Sequence, residues 1–270
     1  MNSAADTSPH DTAARLLWTL WQQGRVLDAL PEACRPRSRA EGYAIQARLP
    51  RVAGRATVGW KIAATSLAGQ AHIKVGGPLA GRLLEGQVAG PGARLSLAGN
   101  RMRVAEPEFS FRFDAALPPR TSPYAMDEVL AAVAAVHPSI EVPDSRYADF
   151  TVAGEAQLLA DDACAGLWVL GDAAGADWRA LDLARHVVQG RVRRADGTTW
   201  QREGVGANVL GDPRAALCWL VNELSGLGLG LRAGEVVSTG TCMAPLEVAP
   251  GDEVEADFGV LGRVALSFAA

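Results

Sequence analysis

The apolar positions along this chain change period once, near residue 54. Over residues 11–23, Leu16, Leu17, Leu20 and Trp21 recur at the spacing that places side chains on one helical face, which predicts an amphipathic helix. Ser38 and Glu41 have the spacing of a capping box, and Tyr43, Ile45 and Leu49 continue from it as a second helix. Beyond Gly54 the apolar runs are short, at 58–63, 94–97 and 109–113, and are separated by Gly-Gly-Pro, Gly-Pro-Gly and Gly-Asn. That is strand-and-turn patterning. A helix is predicted over 126–136, and another from Pro213, suited to a first helical turn, to 225, where the Gly-rich run 226–230 stops it. Between them, 187–193 and 198–202 flank Asp196-Gly197 and predict a hairpin. Residues 235–268 predict three short strands, with Pro250-Gly251-Asp252 turning into the second. Helices grouped around non-alternating strands predict an α+β fold rather than a wound parallel sheet, with a helical N-terminal cap over 1–54 and a β-rich body over 55–270.

Composition narrows the class. With 270 residues, 49% of them hydrophobic, the chain can bury a large core. Its net charge of −4 is spread without a long basic run, so no phosphate-tracking surface and no nucleic-acid partner are expected. No stretch reaches the roughly 18 apolar residues of a membrane span. Residues 1–11 are polar and acidic, unlike a signal peptide, so no membrane partner and a cytoplasmic location are expected. Cys34, Cys164, Cys218 and Cys242 are too far apart for a thiolate metal site and too few for a disulfide framework. His10, His72, His137 and His186 lack zinc-ligand spacing, and His137, before Pro138 at a strand entrance, reads as structural. The Gly226-x-Gly-x-Gly230 run follows a helix instead of opening one, so a nucleotide cofactor is not expected.

The informative charges lie inside apolar runs. In Ala105-Glu106-Pro107-Glu108-Phe109, a strand would point both carboxylates to one face, since side chains two apart share a side. A solvated face would accommodate such a pair without consequence, but the flanking apolar residues argue for burial. Glu141, in Ile140-Glu141-Val142, has the same character. Should its strand lie beside the Glu106–Glu108 pair, three carboxylates converge into the all-oxygen set that Mg²⁺ or Mn²⁺ prefers. Lys61, in Gly59-Trp60-Lys61-Ile62-Ala63, is a further charge in an apolar run, either snorkelling from an edge strand or serving chemistry.

Around these residues the sequence resembles the fumarylacetoacetate hydrolase superfamily, in its branch of 2-keto-4-pentenoate hydratases and 2-oxo-hex-3-enedioate decarboxylases. The resemblance runs from Tyr43-Ala-Ile-Gln46 through Gly59-Trp-Lys61, Ala105-Glu-Pro-Glu108, Ile140-Glu141, Asp144-Ser-Arg146 and Ala160-Asp-Asp-Ala163 to Val209-Leu-Gly211 and Ser238-Thr-Gly-Thr241. It implies a mixed β-sheet roll whose mouth holds a divalent metal on Glu106, Glu108 and Glu141, with Lys61 and Thr241 facing the substrate. It also implies a small-molecule 2-oxo acid substrate, a metal-stabilised enolate, a homo-oligomer, and association with a related decarboxylase or hydratase. Hydration of 2-hydroxypenta-2,4-dienoate in aromatic catabolism is the expected activity; decarboxylation of 2-oxo-hex-3-enedioate and acylpyruvate hydrolysis are the enzymatic alternatives.

Three departures bear on the chemistry. Where the family's hydratases carry Gly-Val-Asp-x-Pro, this chain has Lys74-Val-Gly-Gly-Pro78 and no acid. That loss admits a second reading, a metal-binding scaffold for a catalytic paralogue. Where the family tends to Asp-Asn-Ala, the chain has Asp161-Asp162-Ala163, so Asp162 adds a carboxylate that either reaches the pocket as a catalytic group or accepts turn hydrogen bonds. The lid motif of acylpyruvate hydrolases is missing, although His72 falls in the corresponding region and is a candidate substrate contact. Arg82 is the one cation expected near the substrate's distal end, among small or apolar residues. A monocarboxylic substrate is therefore favoured over a diacid.

Overall fold

The computed structural model describes residues 8–175 and 177–270; residues 1–7, which carry most of the polar N-terminal stretch, lie outside the described residues. Helix α1 (Pro9–Gln23) starts at Ser8, whose hydroxyl accepts the Asp11 N–H at 3.2 Å, and stops at Gly24 in a left-handed conformation. Its buried face is Ala13, Ala14, Leu17 and Leu20. Helix α2 (Arg39–Gln46) is capped by Ser38, which accepts the Glu41 N–H, but the Glu41 carboxylate takes the Arg37 N–H instead of closing the box on Ser38. The helix predicted to run on through Leu49 is interrupted, and α3 (Leu49–Ala53) begins separately. Pro50 is the cause, because it has no N–H to give to the preceding turn.

The body opens with β1 (Thr57–Ala63), α4 (Leu67–Ile73), β2 (Leu79–Leu84), β3 (Val88–Ala89), β4 (Ala93–Leu95) and β5 (Val104–Phe113). It continues with α5 (Met126–Ala131), β6 (Val133–Val142), α6 (Glu155–Ala160), β7 (Leu167–Leu170), β8 (Val187–Arg193) and β9 (Thr199–Val205). It closes with α7 (Pro213–Gly226), β10 (Val236–Thr241), β11 (Leu246–Glu247), β12 (Glu253–Asp257) and β13 (Arg263–Phe268). The helix expected over 126–136 ends at Ala131, and Val133 onward is strand. Pro138 disfavours helical backbone at His137, and a ladder with β5 from Val133 to Glu141 overrides the alanine-rich helix propensity.

Among the described residues, one sheet runs β2-β1-β10-β5-β6-β7-β3 with β11 paired to β5, and a second runs β4-β13-β12-β8-β9. The β1–β10 and β3–β7 pairs of the first sheet are parallel and its other pairs antiparallel, which makes the fold a mixed α+β one. Strand β8 alternates exposed and buried along its length, the signature of a sheet with one face on the core. The core between the sheets includes Phe109 and Phe258, whose rings meet edge to face at 5.1 Å. A second apolar cluster joins α1 and α2 to Tyr147 and Ala160. No helix among the described residues is long and apolar enough to cross a membrane.

Arg146 and Asp161 form a buried ion pair at the junction of these two clusters. The guanidinium Nε donates to Asp161, whose Oδ2 also accepts the Ser145 hydroxyl at 2.7 Å and the Arg146 N–H at 3.1 Å. Removing one partner of a buried pair strands the other charge, so Asp161→Ala is expected to lower stability by about 3–5 kcal/mol. Urea unfolding at neutral pH measures this; a change inside experimental error would mean the guanidinium finds water.

Candidate active site

Alternation along β5 turns Glu106, Glu108 and Ser110 to one face, and the pairing of β5 with β6 sets Glu141 opposite Glu106. Carboxylate oxygens of Glu106, Glu108 and Glu141 lie within 4.8 Å of one another. On the other side of β5, β10 loses register between Ser238 and Thr241. The irregularity passes through Gly240 at φ 96°, where a Cβ would fall 2.4 Å from the Thr65 hydroxyl, so only glycine fits. The displaced strand brings the Gly240 N–H to Glu108 Oε2 at 3.2 Å and turns Thr241 toward the cavity.

Lys61 reaches the carboxylates from β1, two strands away from β5. It is 3% exposed and sits on an interior strand, so the edge-strand alternative does not describe it. Its Nζ donates to the Ala163 carbonyl at 2.9 Å and forms an ion pair with Glu141 Oε1 at 3.3 Å. The space for this side chain depends on Gly81, where a Cβ would lie 2.9 Å from the lysine stem and 2.4 Å from the Asp162 carbonyl. The Ala163 carbonyl is aimed by a left-handed turn through Asp162, Ala163 and Cys164, at φ 56°, 53° and 59°. Three successive non-glycine residues in that region are costly, and such strain concentrates at functional sites.

The site carries excess negative charge. Burial raises the Glu106 carboxyl above its usual range, with Lys61 opposing. Glu108 is pushed up to about 8 by burial and by Glu106, against Lys61, Ser238 and the Gly240 N–H. Burial holds Glu141 well above the ordinary carboxyl range, with Lys61 opposing and the two neighbouring glutamates adding to it. Burial alone would depress the Lys61 ammonium, but Glu141, Glu108 and Glu106 reverse that and hold it above its usual value. Glu108 Oε1 and both Glu141 oxygens are buried with no hydrogen-bond partner among the described residues. Buried carboxylate oxygens grouped around one point, with a single ammonium at Glu141 Oε1 to offset three carboxylates, fit a divalent cation.

Glu106, Glu108, Lys61, Thr241 and His72 all line one cavity of about 700 Å³, with Glu141 completing the cluster behind it. Its remaining walls are mostly apolar, including Ile73, Leu79, Met102, Phe150, Leu158 and Met243. His72, on α4, stands edge-on to Phe150 with ring centroids 5.7 Å apart. The other two expected site residues lie elsewhere. Arg82 pairs across the ladder with Trp60, not Lys61, so it falls on the opposite face, where its guanidinium stacks over the Trp60 ring at 4.4 Å. Asp162 accepts the Arg82 N–H at 2.7 Å and lines a separate cavity of about 20 Å³ with Trp18, Trp21 and Arg146. Burial pushes its carboxyl up to about 6. His137 is engaged with the Gly171 carbonyl at 2.9 Å, in keeping with its structural reading.

Sequence reasoning passed over a row of buried polar side chains beneath the carboxylates: Ser110, Ser139, Ser238 and Trp168. A signal was present, since Ser110 continues the period-two series of Glu106 and Glu108, and Ser139 precedes Glu141 by two.

No family model matches the chain. It is 32% identical over 261 residues to a 2-keto-4-pentenoate hydratase of Paraburkholderia xenovorans (strain LB400), covering 96% of this chain and 94% of that protein. Its fold superposes on 4-oxalocrotonate decarboxylase from Pseudomonas putida G7, a structure complexed with magnesium and adipate, with a TM-score of 0.83 and 26% identity, over 99% of this chain and 100% of the other. Fumarylacetoacetate hydrolase from the psychrophile Exiguobacterium antarcticum shares the fold at a TM-score of 0.55 and 15% identity, over 80% of this chain and 76% of that one.

Proposed function

This chain belongs to the 2-keto-4-pentenoate hydratases of the fumarylacetoacetate hydrolase superfamily, and from that premise we propose how its cavity works and on what. The enzyme is a hydro-lyase adding water to 2-hydroxypenta-2,4-dienoate-type substrates in aromatic catabolism, in the cytoplasm. The net change is that the enol O–H proton is lost, a proton arrives at C5 to give the 2-oxo-3-enoate, hydroxide adds at C4 and a proton arrives at C3. Glu106, Glu108 and Glu141 would hold the metal, and Mg²⁺ or Mn²⁺ suits three carboxylates. Such an ion, when bound, supplies Lewis-acid stabilisation of negative charge on the C2 oxygen.

The protein's own groups do the rest. The Lys61 ammonium, fixed by the Ala163 carbonyl, places a permanent positive charge and a proton donor beside the carboxylates. Thr241, whose hydroxyl donates to the Met243 carbonyl at 2.9 Å, holds the cavity wall contributed by β10. Phe150, Leu158, Ile73 and Met102 line the cavity with apolar surface that disfavours water.

The observation that carries the choice of substrate is the mostly apolar lining of the cavity. Among the described residues, the basic side chains lining the cavity are Lys61 and His72. A distal carboxylate buried there would be poorly compensated, whereas a vinyl or alkyl terminus needs only an apolar wall. Decarboxylation of a 2-oxo diacid is the second reading, favoured by the likeness to the decarboxylase, and would require His72 to meet the distal carboxylate. Turnover of 2-hydroxypenta-2,4-dienoate against 2-oxo-hex-3-enedioate, with metal and with chelator, separates the two; faster metal-dependent turnover of the diacid overturns the hydratase reading.

The position of Arg82 gives a further expected result. Arg82→Ala is expected to leave the ratio of monoacid to diacid binding unchanged, because the guanidinium is on the far face of the sheet. Competition of a 2-oxo monoacid with a diacid of equal length checks this. Selective loss of diacid binding in the variant would place the substrate outside the cavity described.

A further inference from the structure

Beneath the three carboxylates, four adjacent strands contribute one polar side chain each to a single buried row: Ser238 from β10, Ser110 from β5, Ser139 from β6 and Trp168 from β7. The row is closely connected. Trp168 Nε1 donates to Ser238 Oγ at 3.1 Å, Ser110 Oγ lies 3.0 Å from Ser238 Oγ and 2.7 Å from Ser139 Oγ, and Ser139 Oγ donates to the Glu108 main-chain carbonyl at 2.9 Å. Ser238 Oγ in turn contacts Glu108 Oε2 directly.

Counting protons gives this row a direction. A serine hydroxyl has one hydrogen and two lone pairs, and an indole N–H can only donate. Trp168 therefore occupies a lone pair of Ser238 and cannot accept its proton. Ser139 can satisfy the Glu108 carbonyl, which leaves the Ser110 proton for Ser238 or Ser139. When it goes to Ser238, both Ser238 lone pairs are filled, by Ser110 and by Trp168, and the Ser238 proton points at Glu108 Oε2, a charge-assisted bond that favours the ionised carboxylate. Oε2 is thus taken by Ser238 and the Gly240 N–H, while Oε1 is left buried with no hydrogen-bond partner among the described residues.

We propose that Ser238, with its proton oriented by the Trp168 indole, is a positioning residue that presents Glu108 to the metal as an ionised ligand through Oε1 alone. The proposal rests on the metal assignment made above and goes beyond it by naming what aims the ligand. Groups that orient a metal ligand commonly contribute about 10–100-fold in metal affinity. Ser238→Ala is expected to weaken binding by that order. Trp168→Phe keeps an aromatic ring in place, removes the donor that fixes the rotation of the Ser238 hydroxyl, and is expected to weaken binding by less.

The test is Mn²⁺ alone, titrated into the full-length protein at fixed pH, with free Mn²⁺ read by electron paramagnetic resonance; Glu108→Gln serves as the reference variant. The expected result is loss of affinity in Glu108→Gln and Ser238→Ala, a smaller loss in Trp168→Phe, and no additional loss when Trp168→Phe is added to Ser238→Ala. That non-additivity is the signature of one residue acting through the other, and a merely structural role would not give it. Ser238→Ala within about twofold of the wild type, with Glu108→Gln impaired, overturns the positioning role while leaving the metal site standing. Additive losses overturn the part given to Trp168. A wild-type protein that binds no Mn²⁺ overturns the metal assignment and this proposal together. Both substitutions remove buried atoms without adding charge; where Ser238→Ala fails to fold, Trp168→Phe tests the indole's part by itself, and an affinity equal to the wild type overturns the proposal as stated.

Discussion

Glu108→Gln is expected to cost on the order of 10²-fold or more in divalent-metal affinity, and with it nearly all metal-dependent turnover. A neutral amide is a weak ligand for a hard cation, and the Ser238 hydroxyl and Gly240 N–H, both donors to Oε2, would hold the amide oxygen and leave the NH2, which cannot ligate a cation, in the place of Oε1. The same variant has a second consequence, of opposite sign, in metal-free protein. The Glu108 carboxyl is raised from 4.5 to about 8 in the fold, so between those values the folded protein binds more protons than the unfolded chain. Stability of the metal-free wild type therefore falls as pH rises through that window, and is least impaired below the unfolded value. Glu106 and Glu141, also raised, add to the same trend. A bound cation removes the penalty by compensating the charge and by mass action on the native state. Thermal unfolding in chelator and in excess Mn²⁺, from about pH 5 to about 8, should show curves that diverge upward in pH for the wild type and much less for Glu108→Gln. A wild-type melting temperature indifferent to metal across that range would remove the cation from the site.

How much of this was legible beforehand depended on whether one strand or two were needed. The shared face of Glu106 and Glu108 follows from alternation within β5 and was readable. Their meeting with Glu141 needs the β5–β6 register, which no local pattern specifies, and only the resemblance supplied it. Arg82 shows the same limit from the other side. It was expected at the substrate's distal end as the one cation among small or apolar residues, but the pairing of Trp60 with Arg82 and of Lys61 with Gly81 puts it on the opposite face. Asp162 belongs to a turn in which three non-glycine residues are left-handed, a conformation their side chains disfavour and no propensity predicts. Residues 132–136 were read as part of a helix, which their alanine content favours locally, yet their long-range ladder with β5 decided the outcome. The α+β class, the hairpin around Asp196-Gly197 and helix α7 were readable because turn and cap residues mark them locally.

Lys61→Ala is expected to lower turnover by about 10²-fold or more while Mn²⁺ affinity stays near that of the wild type. The two readouts separate because the ammonium contacts Glu141 and the Ala163 carbonyl but is not itself a ligand. Lys61→Arg should not rescue activity. Its planar fork is wider than an ammonium, and the stem already runs so close to Gly81 that a Cβ there would lie 2.9 Å from it, which leaves no room to seat the larger group. The protonation state limits what Lys61 can do. In the metal-free protein three neighbouring carboxylates hold its pKa above the ordinary lysine value, so it rests charged there. It can stabilise developing negative charge or deliver a proton; it cannot serve as the resting general base. The pH profile of the wild type should accordingly lack a limb that disappears in Lys61→Ala at saturating Mn²⁺. A basic-side increase in turnover that vanishes in the variant would show the free amine at work and overturn this assignment, and wild-type turnover in Lys61→Ala would take the residue out of the mechanism.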